Sequence, residues 1–70
     1  MCRSIHRLRD GSDIDDRDAM EEAARQYVRK VSGFSKPAAH NSEAFDRAVA
    51  EITDATDRLM SSLTIRGARP

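Results

Sequence analysis

The chain has 70 residues, and its 12 Lys and Arg residues balance 12 Asp and Glu residues. This length allows one domain, and a chain this short buries only about 60% of the surface that its unfolded form exposes. Neutrality excludes a strong overall field for attracting nucleic acid, the single cysteine excludes a disulfide framework, and no apolar run approaches the roughly 18 residues of a membrane span.

The first nine residues carry Arg3, Arg7 and Arg9 among few apolar side chains. Because no apolar stretch follows them, they do not form a secretory signal, and the lone thiol suits a reducing compartment. The sequence therefore predicts a cytoplasmic protein. Within this segment Ile5 and Leu8 are three residues apart, which predicts one apolar helical turn packed across the helices that follow.

The first predicted helix spans residues 16–32, with Asp15 or Asp16 as its cap. Its apolar residues recur at the 4-3-4 spacing of a helix with one buried face: Met20, Ala24, Tyr27 and Val31. Gly33 is placed where a left-handed residue ends a helix, and Phe34 then falls one turn from Val28, as in a Schellman motif. The stretch "VSGF" is thus interpreted as a helix stop.

The second predicted helix spans residues 42–63, with Asn41 or Ser42 as its cap. Its apolar stripe has the spacing 4-3-4-3-4 and contains Phe45, Val49, Ile52, Thr56, Leu59 and Leu63. Pro37 forces the residue before it out of helical geometry. The eight connecting residues, 34–41, allow an antiparallel hairpin and exceed the turn of about 3–4 residues in a DNA-reading helix-turn-helix.

The predicted fold is all-α: an antiparallel helical hairpin, about 16–32 and 42–63, in a single domain of residues 1–65 with a flexible tail at 66–70. Such a small hairpin has little core of its own, so we expect a homodimer or another protein partner to complete it. The residues expected in the core or interface are Met20, Tyr27, Val31, Phe45, Val49, Ile52, Leu59 and Leu63.

Residues 23–36 contain four cations and no acid, and so form a basic cluster: Arg25, Arg29, Lys30 and Lys36. Cations beside aromatic side chains such as Tyr27 can bind phosphates and stack on bases. The cluster therefore raises nucleic-acid or phosphate binding as an alternative function. The other interpretation is that these cations only solvate the helix surface.

Cys2 is the second candidate site. If Met1 is removed, the α-amine and thiol share one residue, and Arg3, Arg7 and His6 nearby in sequence would favour the reactive thiolate. Together with His6 and His40, Cys2 provides zinc-type ligands, although a structural zinc site needs four. The alternatives are an unreactive thiol and two polar histidines.

Three segments occur in a recognisable order: "MCRSI" at 1–5, "QYVRKVSGFSKP" at 26–37 and "AFDRAV" at 44–49. They resemble a family of short bacterial proteins that open Met-Cys-Arg-Asn-Ile and continue with Val-Arg-Lys-Val-Ser-Gly-Phe-x-Lys-Pro. The family has no established function, so the resemblance implies no activity. Ser4 replaces the usual Asn, and the members' basic, Pro-rich C-terminal extension is reduced to "RGARP".

The sequence carries no Gly-rich phosphate loop, paired-cysteine site or serine–histidine pattern. We therefore expect a non-enzymatic protein that needs no cofactor. The predicted function is a small helical protein-interaction or assembly module. Nucleic-acid association through the basic cluster and thiol or metal chemistry at Cys2 are the two alternatives.

Overall fold

A computed structural model of the chain describes residues 5–11 and 13–64. Four elements follow one another: β1 (Arg9–Asp10), β2 (Asp13–Ile14), α1 (Arg17–Ser32) and α2 (Ala39–Ser62). The two helices pack against each other as predicted, while the short strands were not predicted. The expected flexible tail, residues 66–70, lies outside the described residues.

The N-terminal segment forms a small antiparallel β-ribbon instead of the predicted helical turn. Arg9 pairs with Ile14 and Asp10 pairs with Asp13, and the amide of Asp15 extends the ribbon by donating to the carbonyl of Leu8 at 2.9 Å. Gly11 turns the chain with a φ of 62°, which glycine adopts at little cost. Gly11 is therefore the first residue of the two-residue turn between the paired Asp10 and Asp13, a position at which hairpin turns need a positive φ.

Helix α1 begins one residue after its predicted start. The amide of Ala19 donates to Asp16 Oδ1 at 3.0 Å, so Asp16 satisfies one of the free amides of the first turn. Asp18 near the start and Arg29 and Lys30 in the last turn complement the helix dipole.

Gly33 ends α1 with a φ of 79° in the left-handed region. Its amide donates to the carbonyl of Arg29 at 3.0 Å, whereas the amide of Phe34 donates to Ser32 Oγ at 3.2 Å. This is the simpler αL ending and not the predicted Schellman motif, in which the Phe34 amide would bond to the Arg29 carbonyl. Arg29 also donates from Nε to the carbonyl of Ser35 at 3.1 Å, which ties the connection back to the helix.

Helix α2 begins at Ala39, three residues before its predicted start, because Ala39 and His40 are compatible with a helix and extend it toward Pro37. Ala38 occupies the N-cap position and provides no side-chain hydrogen bond. The predicted caps Asn41 and Ser42 therefore lie inside the first turn, where Ser42 Oγ donates to the carbonyl of Ala39 at 3.0 Å.

The helices are antiparallel, since the start of α1 lies beside the second half of α2. Arg17 bonds to Asp54 through Nη2 and to Asp57 through Nη1, the latter at 2.9 Å. Asp54 is thereby engaged across the hairpin instead of with Arg58, which lies four residues further along α2. The hydrogen bond to Asp54 raises the pKa of Arg17, so the guanidinium stays charged at any physiological pH.

The core is small, and on α1 it follows Met20 and Ala24 as predicted but continues through Val28 instead of Tyr27 and Val31. Its apolar members are Met20, Ala24, Val28 and Val49, with Phe45, Ala48 and Ile52 packed partly against them. Along α1 the buried residues are four apart, which is the i±4 ridge used in the commonest helix packing. Ala24 is small enough to let the two backbones approach closely.

Four residues expected in the core are largely exposed in the single chain: Tyr27 (49%), Val31 (64%), Leu59 (56%) and Leu63 (42%). One hairpin therefore does not bury these four residues, which the sequence placed in the core or interface. One neighbouring helix covers one side of a wide apolar stripe, and the other side remains open. Thr53, which the prediction omitted, is 3% exposed, and its hydroxyl donates to the carbonyl of Val49 at 2.7 Å.

Candidate interaction site

An open groove lies between the last turn of α1 and the first half of α2. Its volume is about 400 Å³, within the range of binding sites for small ligands. The lining is largely apolar: Tyr27, Val31 and Phe34 from α1 and its end, Pro37 from the connection, and Phe45, Ala48 and Ile52 from α2. Asn41 and Ala44, from the first turns of α2, also line the groove.

Helix α2 carries two apolar faces. One contacts α1 and contains Val49 and Thr53, both buried. The other, which we name the α2 seam, has the alternating 3-4 spacing of a coiled-coil stripe: Phe45, Ala48, Ile52, Ala55 and Leu59. Helices with two adjacent apolar faces are typical of bundles, in which each helix contacts two others.

The α2 seam becomes progressively exposed along the helix. Phe45, Ala48 and Ile52 are half-buried against the groove, whereas Ala55 and Leu59 are exposed. Leu63, one turn beyond Leu59, is also exposed. The groove and the seam together form one continuous apolar surface, which we name the open face.

The hairpin is too thin to enclose this face. Its extents are 47 × 22 × 15 Å, and the shortest is little more than the 10–12 Å diameter of one helix. No side chain among the described residues falls below 2% exposure. A single layer of two helices therefore leaves its apolar side uncovered.

The structure divides the predicted basic cluster. Arg25 is half-buried and pairs with Glu21 at 3.5 Å and with Glu22 at 3.3 Å, and Arg29 bonds to the connection. Lys30 and Lys36 are exposed and make no ion pair within residues 5–11 and 13–64. Two of the four cations are thus occupied by contacts within the chain.

Glu22 also accepts a hydrogen bond from Gln26 Nε2 at 2.8 Å. That hydrogen bond, with a smaller contribution from Arg25, holds the pKa of the Glu22 carboxyl below its ordinary value of 4.5. Glu21 and Arg25 have the i,i+4 spacing of a helical ion pair, and the Glu22 contacts extend that pair into a small surface network.

The two histidines proposed as metal ligands lie at opposite ends of the hairpin. His6 lies at the β-ribbon, with Nε2 3.6 Å from Asp15 Oδ2, next to the start of α1. His40 lies in the first turn of α2, at the opposite end of the hairpin. Cys2 lies outside the described residues, and no group of three metal-ligating side chains occurs within the described part of the chain.

The described helices contain no stretch that is both long and apolar enough to cross a membrane. The fold and the open face together define a small helical hairpin with one uncovered apolar side. In a comparison with protein-family models, residues 1–70 match the family described as "Uncharacterized conserved protein (DUF2277)". The chain belongs to this family. No match was found among curated proteins or among solved structures.

Proposed function

We propose that this protein is a non-catalytic helical assembly module that associates with a second copy of itself through the open face. The observation that carries the proposal is the continuity of the groove with the α2 seam. A surface that contains Tyr27, Val31, Phe34 and Leu59, all large and exposed, is characteristic of an interaction site.

Energetics support a second copy as the occupant. The four apolar core residues include one alanine and two valines, which is a small core to set against the chain entropy of folding. When the open faces of two hairpins pack against each other, their apolar side chains form one larger shared core. Each square ångström of apolar surface that is removed from water contributes about 25 cal/mol to the free energy of association.

The proposal is tested by placing the same charged residue on two faces of α2. Ala55 and Ala50 are both exposed in the single chain, but only Ala55 lies on the α2 seam. We expect Ala55→Glu to abolish self-association, because a carboxylate would be buried in the interface. Ala50→Glu should leave it unchanged.

The mass of each variant in solution, measured by sedimentation equilibrium, decides the outcome. Circular dichroism of both variants establishes that the helices are retained. A wild-type protein that stays at the single-chain mass, or equal behaviour of the two glutamate variants, would contradict the proposal.

A further inference from the structure

We infer that the second copy binds antiparallel, about a twofold axis across the middle of α2, so that each copy inserts Leu59 and Leu63 into the groove of the other. This inference rests on the proposed function, and it specifies the geometry of the complex. Three independent features of the described residues support it: the sizes of the seam residues, the position of α1, and the charges beside the seam.

The α2 seam alternates large and small side chains. In the antiparallel register that aligns Ile52 with Ala55 of the second copy, Ala48 faces Leu59 and Phe45 faces Ser62. Each layer then combines one large residue with one small residue, and the layers have nearly equal width. A parallel pair would instead place Phe45, Ile52 and Leu59 each against its own copy, separated by narrow alanine layers.

The position of α1 also distinguishes the two orientations. Val49 and Thr53 face α1, so α1 lies on one particular side of the α2 seam. In an antiparallel pair the matching sides of the two α2 helices are on the same side of the complex. Both α1 helices then lie next to each other and close a four-helix bundle, whereas in a parallel pair they lie diagonally apart and leave Tyr27 and Val31 exposed.

Within the antiparallel bundle, the two exposed leucines at the end of α2 find a matching cavity. Leu59 and Leu63 lie near the end of α2, and the groove lies near its beginning. Antiparallel pairing brings the end of one α2 beside the beginning of the other. The leucines of each copy therefore reach the groove that Tyr27, Phe34 and Phe45 line.

The charged residues that flank the α2 seam on the side away from α1 also fit this register. Glu51 and Arg58 flank the seam on the side away from α1, and both are exposed. Neither forms an ion pair within the described ranges 5–11 and 13–64. In the antiparallel register Glu51 of one copy lies within about one helical turn of Arg58 of the other, and the twofold axis makes this contact twice.

The orientation is measured by double electron–electron resonance between nitroxide labels. Glu43 is exposed near the start of α2, so a label at Glu43→Cys, in a Cys2→Ser background, reports which ends of the two helices adjoin. An antiparallel pair separates the labels by more than about 30 Å along the helix axis. A parallel pair places both labels at the same height, so that only the 8–10 Å between packed helices and the outward reach of the two side chains separate them, and the distance is correspondingly shorter.

The register is measured by charge reversal. Glu51→Arg and Arg58→Glu, each alone, should raise the dimer dissociation constant about tenfold, through two repulsive contacts. The double variant should restore the wild-type value, because complementarity is regained. Glu43→Arg changes the net charge as much as Glu51→Arg does, but lies away from the α2 seam, and should leave the constant unchanged.

Each outcome has one meaning. A protein of single-chain mass overturns both the proposed function and this inference. A dimer with closely spaced labels overturns the antiparallel orientation and leaves the proposed function intact. A dimer with distant labels but no recovery in the double variant overturns the register, and distant labels with recovery support the whole arrangement.

Discussion

Replacing Gly33 by alanine tests how α1 ends. Gly33 has a φ of 79°, and a Cβ built on it meets no atom within 4 Å. The cost of Gly33→Ala should therefore come from the left-handed backbone alone, which is about 1–2 kcal/mol for a residue with a Cβ. Alanine also restricts the unfolded chain more than glycine does, and this offsets part of the cost. The net decrease in the free energy of unfolding should be about 1 kcal/mol.

The measurement is urea unfolding followed by far-UV circular dichroism, with all variants at one protein concentration so that association contributes equally. If the same variants are unfolded by heating instead, a loss of about 1 kcal/mol in a chain of this size lowers the melting temperature by about 4–8 °C. Gly33→Asn is the matched control and should lose less, since asparagine tolerates the left-handed region. If alanine is as stable as glycine, or if asparagine is as harmful as alanine, the reasoning about this helix end is wrong.

Three further substitutions test other parts of the fold. Asp16→Ala should lower the free energy of unfolding by about 1 kcal/mol, while Asp16→Asn should retain most of the cap; equal losses would contradict the capping role. Thr53→Val should raise the free energy of unfolding by up to about 0.8 kcal/mol, since it buries a methyl group and removes a hydroxyl that only bonds back to its own helix, whereas Thr53→Ala should lower it. Glu22→Gln should lower stability at neutral pH, and its difference from wild type should vanish as the pH falls below 4.5. That sign follows because a carboxyl with a lowered folded pKa stabilises above its ordinary pKa and loses the effect when protonated; a difference that grows in acid would contradict it.

Local sequence signals predicted the helices well. The bounds of α1 follow from Asp16 and Gly33, whose chemistry acts within one turn. The start of α2 was misplaced because Asn41 and Ser42 are strong caps in isolation, yet Ala39 and His40 present no barrier to an earlier start. Capping preference alone cannot exclude a helix that begins without a cap.

The packing was less predictable, because periodicity marks an apolar stripe without showing which side meets its neighbour. On α1 the stripe contains two lines, one through Val28 and one through Tyr27 and Val31. The hairpin uses the first and leaves the second open. The β-ribbon was missed because its strands have two residues each, too few for alternation to show, and only the Asp10–Gly11 step signalled a turn.

The predicted site residues also differ in how the folded hairpin uses them. The basic cluster was a cluster along the chain, but among the residues that the structure describes Arg25 and Arg29 have partners, whereas Lys30 and Lys36 have none there. The open face emerged only from the tertiary structure, since Phe45 and Leu59 belong to one stripe in sequence and yet differ in burial. A sequence pattern cannot show which half of a stripe a short chain leaves uncovered.

The most direct test of the central claim is the mass of the untagged protein in solution, measured by sedimentation equilibrium over a range of micromolar concentrations. The open face predicts that the mass rises with concentration to twice the 7.8 kDa of one chain. A mass that remains at 7.8 kDa throughout the range, with the helices intact by circular dichroism, would contradict it.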